Sequence, residues 1–99
     1  MVWFTVRAML RSFRHRGLSA LWHRGSTAGV RPDLLARIQL RLDALNAATQ
    51  PQDLNVPGFN FHRLHGKPTR FAIHVNGPWC MTFEWDGEDA IRVDLEQYH

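Results

Sequence analysis

The fold is decided by residues 71–85, FAIHVNGPWCMTFEW. On both sides of Asn76-Gly77, every second residue is apolar. These alternating residues are Phe71, Ile73 and Val75 before the pair, and Trp79, Met81, Phe83 and Trp85 after it. Such alternation is typical of a β-strand with one buried face, and Asn-Gly is a preferred two-residue hairpin turn. The stretch therefore predicts an antiparallel hairpin whose apolar face, with Trp79, Phe83 and Trp85, belongs to the core.

A second turn signal, Asp86-Gly87, leads to a further alternating segment in which Ile91, Val93 and Leu95 are the apolar members. The pattern predicts that these three residues share the apolar face of the hairpin. Residues 61–99 then form a meander of three to four antiparallel strands. Its opposite face is left for function, and we expect Cys80 to be exposed there.

Two helices are predicted before this sheet. The stronger signal is Pro32 to Ala48, where apolar residues recur at helical spacing: Leu35, Ile38, Leu42 and Leu45. Pro32 suits the first turn, Asp33 suits the positive end of the helix dipole, and Gln50-Pro51 ends the helix. We expect Arg37 and Arg41 to share its polar face.

The other predicted helix is short. It spans Gly17 to Trp22 and stops at Gly25. The preceding residues, Leu10 to His15, alternate and predict a strand. The order of strand, two helices and antiparallel meander indicates an α+β domain with its helices packed on the sheet.

The length of 99 residues suffices for one small domain, and 44% hydrophobic residues with 11% aromatic residues are typical of a globular chain. Met9 is an alternative start. We therefore expect residues 1–8 to be an extension outside the core and residues 9–99 to form a single domain. One cysteine excludes an internal disulfide, and no run approaches the ~20 apolar residues of a membrane span. These features favour the cytoplasm and no membrane partner.

Charge is divided unevenly along the chain. Residues 1–41 contain eight arginines and one acid, a charge of +7, whereas residues 42–99 contain four bases and eight acids, a charge of −4. A basic surface suits a phosphate-rich partner, although a solvated charged surface explains the same numbers equally well.

Six segments in register resemble one protein family. They are SFRHRGL at 12–18, GSTAGV at 25–30, PGF at 57–59, HRLHG at 62–66, VNGPWCMTF at 75–83 and the terminal Tyr98-His99. Together these segments resemble the HigB toxins of the RelE/ParE superfamily over nearly all of residues 9–99.

The resemblance implies a RelE-like fold and a ribosome-dependent endonuclease that cuts messenger RNA and so inhibits translation. It also implies a type II toxin–antitoxin pair. The expected partner is a small HigA-like antitoxin with a helix-turn-helix, which neutralises the toxin and represses their operon. The toxin would meet operator DNA only through the complex with its antitoxin, and it would meet messenger RNA on the ribosome.

Metal-independent RNA cleavage needs a base for the 2′-hydroxyl proton, cations for the charge on phosphorus and an acid for the departing 5′-oxygen. Six residues have suitable side chains: His62, His65, Lys67, Arg70, Tyr98 and His99. Tyr98 could also stack on a base. This chemistry requires no cofactor and no metal ion.

The resemblance assigns active-site roles to His62, Tyr98 and His99 by position. It also marks three departures. His65 stands in place of a lysine, Cys80 in place of an arginine and Gln97 in place of an aspartate. We expect Arg70 to supply the missing positive charge, because it lies near the loop that contains His65.

Contacts to ribosomal RNA phosphates are expected from a set of basic residues: Lys67, Arg14, Arg16, Arg24, Arg37 and Arg41.

Two other classes of protein remain open. His62-x-x-His65 with His74, Cys80 and His99 could form a zinc module, although a second tight ligand pair is missing. A ParE-like toxin would share the fold and bind gyrase without cutting RNA. A catalytically weakened toxin that acts mainly by binding is the third possibility.

Overall fold

A computed structural model describes residues 10–98 of the chain. The proposed extension, the alternative start at Met9 and the terminal His99 therefore lie outside the described residues. Two α-helices are present, α1 (Arg16–Arg24) and α2 (Leu35–Ala47). They are followed by four strands: β1 (His62–Leu64), β2 (Arg70–Asn76), β3 (Trp79–Asp86) and β4 (Asp89–Gln97). The predicted α+β class is confirmed.

Helix α1 has a defined cap at each end. At the start, Nδ1 of His15 accepts a hydrogen bond from the backbone N–H of Leu18, at 3.1 Å. At the end, Gly25 adopts the left-handed conformation with φ 68°, and its N–H donates to the carbonyl of Leu21. The predicted stop at Gly25 is confirmed.

Helix α2 begins three residues later than the pattern predicts. Pro32–Leu34 forms a 3₁₀ turn, and the α-helix starts at Leu35. Ile38, Leu42 and Leu45 are fully buried, whereas Leu35 lies at the margin of the core. The helical stripe therefore packs against the sheet from its second turn onward.

The four strands form one antiparallel sheet in the order β1-β2-β3-β4. Two-residue loops join β2 to β3 at 77–78 and β3 to β4 at 87–88, one residue later than the predicted pairs Asn76-Gly77 and Asp86-Gly87. Each loop begins with a glycine of positive φ. The helices cover one face of this sheet, where Ile73, Met81 and Phe83 are completely buried in the same cluster as the apolar residues of α2. The predicted meander is confirmed, with β1 as its fourth strand.

One irregularity in β4 changes which side chains share a face. The pairing of β3 with β4 shifts between Thr82 and Glu84, and Arg92 takes a positive φ of 49° at that point. This is a β-bulge, in which one extra residue reverses the alternation. Ile91 consequently pairs with Glu84, on the face opposite Val93. The expectation that Ile91 shares the core face is wrong.

The segment before α1 does not form a regular strand. Leu10 and Phe13 make isolated parallel bridges to Ala90 and Val93 of β4. Between these bridges the N–H of Arg92 donates to the side-chain hydroxyl of Ser12, at 2.9 Å, and not to a backbone carbonyl. The bulge interrupts the ladder here, so the predicted strand over 10–15 is reduced to two bridges.

Arg41 is inside the molecule and not on the polar face of α2. It is 6% exposed, and its Nε donates to the carbonyl oxygen of His74 at 2.6 Å. Its Nη1 donates to the carbonyl of Arg37 at 3.0 Å, and its guanidinium lies 4.6 Å from the centre of the Phe59 ring. The predicted surface position of Arg41 is wrong, because these contacts use the guanidinium to tie α2 to β2. Arg41 is therefore not available to bind phosphate.

Within residues 10–98, neither helix is both long and apolar enough to cross a membrane.

Candidate active site on the open face of the sheet

The face of the sheet turned away from the helices, here called the open face, contains the candidate residues. One row of paired residues crosses all four strands: His62, Ala72, Thr82 and Asp94. Directly paired residues point to the same side of a sheet, so this row defines the open face. The next row is His74, Cys80 and Glu96.

Arg70 joins three strands on the open face. From β2 its Nη1 donates to Oε2 of Glu96 on β4 at 2.8 Å, and its Nη2 donates to the hydroxyl oxygen of Tyr98 at 3.1 Å. Since β3 lies between these strands, the arginine side chain extends over it. The hydroxyl of Thr82 on β3 donates to the same oxygen of Glu96. The arrangement holds one cation at a fixed place above the sheet.

Arg70 remains charged and accessible. Burial alone would lower the pKa of Arg70, but the hydrogen bonds to Glu96 and Tyr98 outweigh burial and raise that pKa. The side chain is 27% exposed. A permanent cation with part of its surface in solvent can bind the phosphate of a nucleic acid.

Tyr98 lies at the end of β4 and is held by its backbone. Its N–H donates to the carbonyl of Pro78 at 2.7 Å. Its hydroxyl oxygen accepts from Arg70, and the residue is 37% exposed. The phenolic proton and part of the ring therefore remain available to a ligand.

His62, at the start of β1, has one ring nitrogen committed to the backbone. Its Nδ1 lies 2.9 Å from the carbonyl oxygen of Asn60. A carbonyl oxygen can only accept, so Nδ1 carries the hydrogen. In the neutral ring Nε2 is then the acceptor, and because His62 is exposed this nitrogen could take a proton from a ligand.

The remaining predicted catalytic residues are not joined to this network. His65 and Lys67 are exposed in the loop between β1 and β2, and their side chains make no hydrogen bond or ion pair with any other residue of 10–98. A depression of about 340 Å³ at this hairpin is lined by Arg63, Leu64, His65 and Gly66. His99 would follow Tyr98 directly but lies outside the described residues.

Cys80 is buried, at 7% exposure, so the expectation that it is exposed on the open face is wrong. It lies between His74 and Glu96 in the pairing of the central strands, where longer side chains flank it. Burial raises the pKa of its thiol, and the nearby Glu96 carboxylate raises it further. Cys80 is therefore a neutral thiol.

Glu96 is the residue of the site that the sequence pattern did not single out. Gln97 is one of the three departures from the family pattern. It pairs with Trp79 and so lies on the face opposite Glu96. Side chains alternate between the two faces along β4 as they do along β3. Glu96 lies on the open face because it pairs with Cys80, which is on that face of β3. Recognising it required the pairing of β3 with β4.

Five of the six predicted phosphate-binding residues are exposed: Lys67, Arg14, Arg16, Arg24 and Arg37. Their side chains form no ion pair with another residue of the described part of the chain. Arg16, Arg24 and Arg37 belong to the two helices, which lie across the sheet from Arg70, whereas Arg14 lies in the segment that pairs with β4. Two separate basic regions result, one around Arg70 and one on the helical side.

Among the described residues, no three His, Cys, Asp or Glu side chains are arranged to hold a metal ion. The zinc alternative therefore gains no support from His62, His65, His74 or Cys80.

An antiparallel four-stranded sheet with two helices on one face is consistent with the fold of RelE-like toxins. A family model described as RelE-like toxin of type II toxin-antitoxin system HigB matches residues 11–99, and the chain belongs to this HigB-like toxin family. It is 36% identical over 92 residues to Endoribonuclease HigB of Proteus vulgaris, an alignment that covers 92% of this chain and 100% of that relative. As a toxin of a type II system, the chain has an antitoxin as its partner.

Proposed function

We propose that this toxin is an endoribonuclease that cuts messenger RNA on the ribosome and acts without a metal ion. The observation that best supports the proposal is the hydrogen-bonded group of Arg70, Glu96 and Tyr98, which shares the open face with His62. The relative from Proteus vulgaris is named Endoribonuclease HigB, which supports the same activity.

In the proposed reaction, Nε2 of His62 takes the proton of a ribose 2′-hydroxyl. The 2′-oxygen then forms a bond to phosphorus, the bond from phosphorus to the 5′-oxygen breaks, and a cyclic phosphate remains. Negative charge accumulates on the phosphate oxygens during this exchange, and the fixed guanidinium of Arg70 stabilises it. The tautomer set by Asn60 suits His62 to the role of base.

The two terminal residues complete the proposed chemistry. His99 gives a proton to the departing 5′-oxygen, a role that rests on its match to the family's terminal Tyr-His. The exposed ring of Tyr98 stacks on an unpaired base beside the cut, as aromatic side chains commonly do with single-stranded RNA. Lys67, in the neighbouring loop, adds positive charge along the RNA, and a ring N–H of His65 in the same loop can donate a hydrogen bond to it.

Ribosome binding is proposed for the helical side of the molecule. Arg16, Arg24 and Arg37 of the helices, together with Arg14 beside β4, are exposed cations and would meet phosphates of ribosomal RNA. Affinity for the ribosome should then fall steeply with salt. The antitoxin is proposed to be HigA-like, with a helix-turn-helix, and the toxin is proposed to act in the cytoplasm, where ribosomes and messages are found.

The first test is a cleavage assay with purified toxin, ribosomes and a defined message, with cuts mapped by primer extension. We expect cuts only when ribosomes are present. His62→Ala should slow cleavage by about 100-fold, the lower end of what a positioned acid or base contributes. His23→Ala is the matched control, because His23 is an exposed histidine of α1. Equal rates for the two variants would reject His62 as the base.

A second test separates the nuclease from a gyrase-binding toxin. The chain is expressed alone and together with its neighbouring open reading frame. Growth arrest that co-expression relieves, with messages cut, is the expected result. Arrest of replication with intact messages would favour the ParE-like alternative.

A further inference from the structure

We propose that Glu96 is a positioning residue, which fixes the guanidinium of Arg70 beside Tyr98 so that the unused N–H groups of Arg70 meet the phosphate being cut. The inference rests on the proposed nuclease function, because it gives Glu96 a role in that same site.

The geometry of Glu96 supports this role. Its Oε2 accepts one hydrogen bond from Arg70 and one from the hydroxyl of Thr82, which is 1% exposed in the middle of the sheet. The carboxylate is thereby attached both to the rigid centre of β3 and to the end of a long flexible side chain. Glu96 therefore restricts the movement of the Arg70 guanidinium relative to the sheet.

Arg70 keeps donors free for a ligand in this arrangement. An arginine side chain has five N–H hydrogens, and one goes to Glu96 and one to Tyr98. The side chains of both Arg70 and Glu96 are partly exposed, at 27% and 30%. Without Glu96, the phenolic oxygen of Tyr98 would be the one remaining hydrogen-bond partner of the guanidinium among residues 10–98.

The charge balance supports the same assignment. Cys80, the neighbour of Glu96 on β3, is a neutral thiol. Arg70 is the cation that pairs with Glu96. A second ion pair on this sheet, Arg92 with Glu84 at 2.9 Å, supplies a matched control, because Glu84 makes no hydrogen bond or ion pair with Arg70 or Tyr98.

The first experiment measures the position of Arg70 without any RNA. Side-chain guanidinium signals are recorded by ¹⁵N NMR at low temperature, and Arg70→Lys identifies those of Arg70. In the unmodified protein the N–H groups of Arg70 should give separate, slowly exchanging signals. In Glu96→Gln these signals should merge or broaden, and in Glu84→Gln they should persist. Separate Arg70 signals that survive in Glu96→Gln would overturn the proposal, whether or not the protein cuts RNA.

The second experiment measures single-turnover cleavage and affinity for the ribosome-bound message. Glu96→Gln should lower the cleavage rate between about 10-fold and 100-fold, since small misplacements of a catalytic group have effects of that size. Affinity for the message should change less than about twofold, because the charge that binds it remains. Glu84→Gln should cleave at the unmodified rate.

A double substitution tests whether Glu96 acts through Arg70. If it does, Arg70→Ala with Glu96→Gln should cleave no more slowly than Arg70→Ala alone. Effects that multiply, or an equal loss in Glu84→Gln, would overturn the positioning role while leaving the nuclease intact. Absence of cleavage by the unmodified toxin would instead reject the proposed function, and the NMR comparison would still decide whether Glu96 fixes Arg70.

Discussion

Replacing Arg41 with alanine tests the tie between helix α2 and the sheet. The substitution removes hydrogen bonds to the carbonyls of His74 and Arg37 and the contact with the Phe59 ring. A hydrogen bond from a charged donor contributes about 1.5–3 kcal/mol, and a partly desolvated cation–π contact adds about 1 kcal/mol. Losing the bond to Arg37 costs little, because that carbonyl lies within α2 and keeps the helical hydrogen bond from the backbone N–H of residue 41. We therefore expect a loss of about 3 kcal/mol in the free energy of unfolding.

Urea denaturation followed by tryptophan fluorescence measures this loss. A change of about 3 kcal/mol in a chain of this size lowers Tm by about 12–24 °C. Arg37→Ala is the matched control on the same helix, and its exposed side chain should change the free energy of unfolding by less than about 0.5 kcal/mol. Arg41→Lys should lie between the two, because lysine keeps the charge but lacks the planar fork. Equal stability of Arg41→Ala and Arg37→Ala would refute the structural role of Arg41.

Three further predictions concern other parts of the molecule. Cys80, whose buried thiol has a raised pKa, should react with a disulfide reagent only after unfolding, and rapid reaction of the native protein would contradict this. The backbone N–H of Thr49 donates to Asp53 and is the main cause of the lowered pKa of Asp53, so the stabilisation is present at neutral pH and is lost as the pH falls through that pKa. Asp53→Asn should therefore lower stability at neutral pH and flatten the decline of unfolding free energy below about pH 4, measured by urea titrations in acid. Gly17→Ala should cost about 1–3 kcal/mol, again measured with urea, because the new Cβ would lie 2.7 Å from the carbonyl carbon of Gly29.

The sheet was predictable because its signals are local. Asn76-Gly77 and Asp86-Gly87 specify tight turns, and the alternation around them specifies which face is apolar. The bulge at Arg92 was not predictable in this way. The residues around it alternate without a break, and the shift appears only when β4 is paired with β3. Cross-strand register is a property of two strands together and not of either sequence alone.

The predicted surface position of Arg41 was wrong because it was based on charge. It lies three residues after Ile38 and four before Leu45, which is the spacing of the buried stripe of α2. Its charge favoured the surface, yet a long arginine side chain can pack its stem and satisfy its donors on backbone carbonyls. Helical spacing predicts a buried position for Arg41, which the structure shows, whereas its residue type predicts exposure.

The candidate site was predicted in part. Arg70 was chosen for its nearness in sequence to the loop at His65, and the structure joins it to Tyr98, 28 residues further along the chain. Glu96 was not predicted, because the departure from the family pattern lies at Gln97, the next residue. Neighbours in a strand point to opposite faces, so a carboxylate one position away is on the other side of the sheet. His62 shares the open face through the pairing with Ala72.

The proposed nuclease cuts RNA on the open face with Arg70 as the cation at the phosphate. Single-turnover cleavage of a ribosome-bound message by Arg70→Ala tests it most directly, with Arg31→Ala as the control, because Arg31 pairs with Asp33 beside α2. We expect Arg70→Ala to cut about 100-fold more slowly than the unmodified toxin and Arg31→Ala to cut at the unmodified rate. Cleavage by Arg70→Ala at the unmodified rate would contradict it.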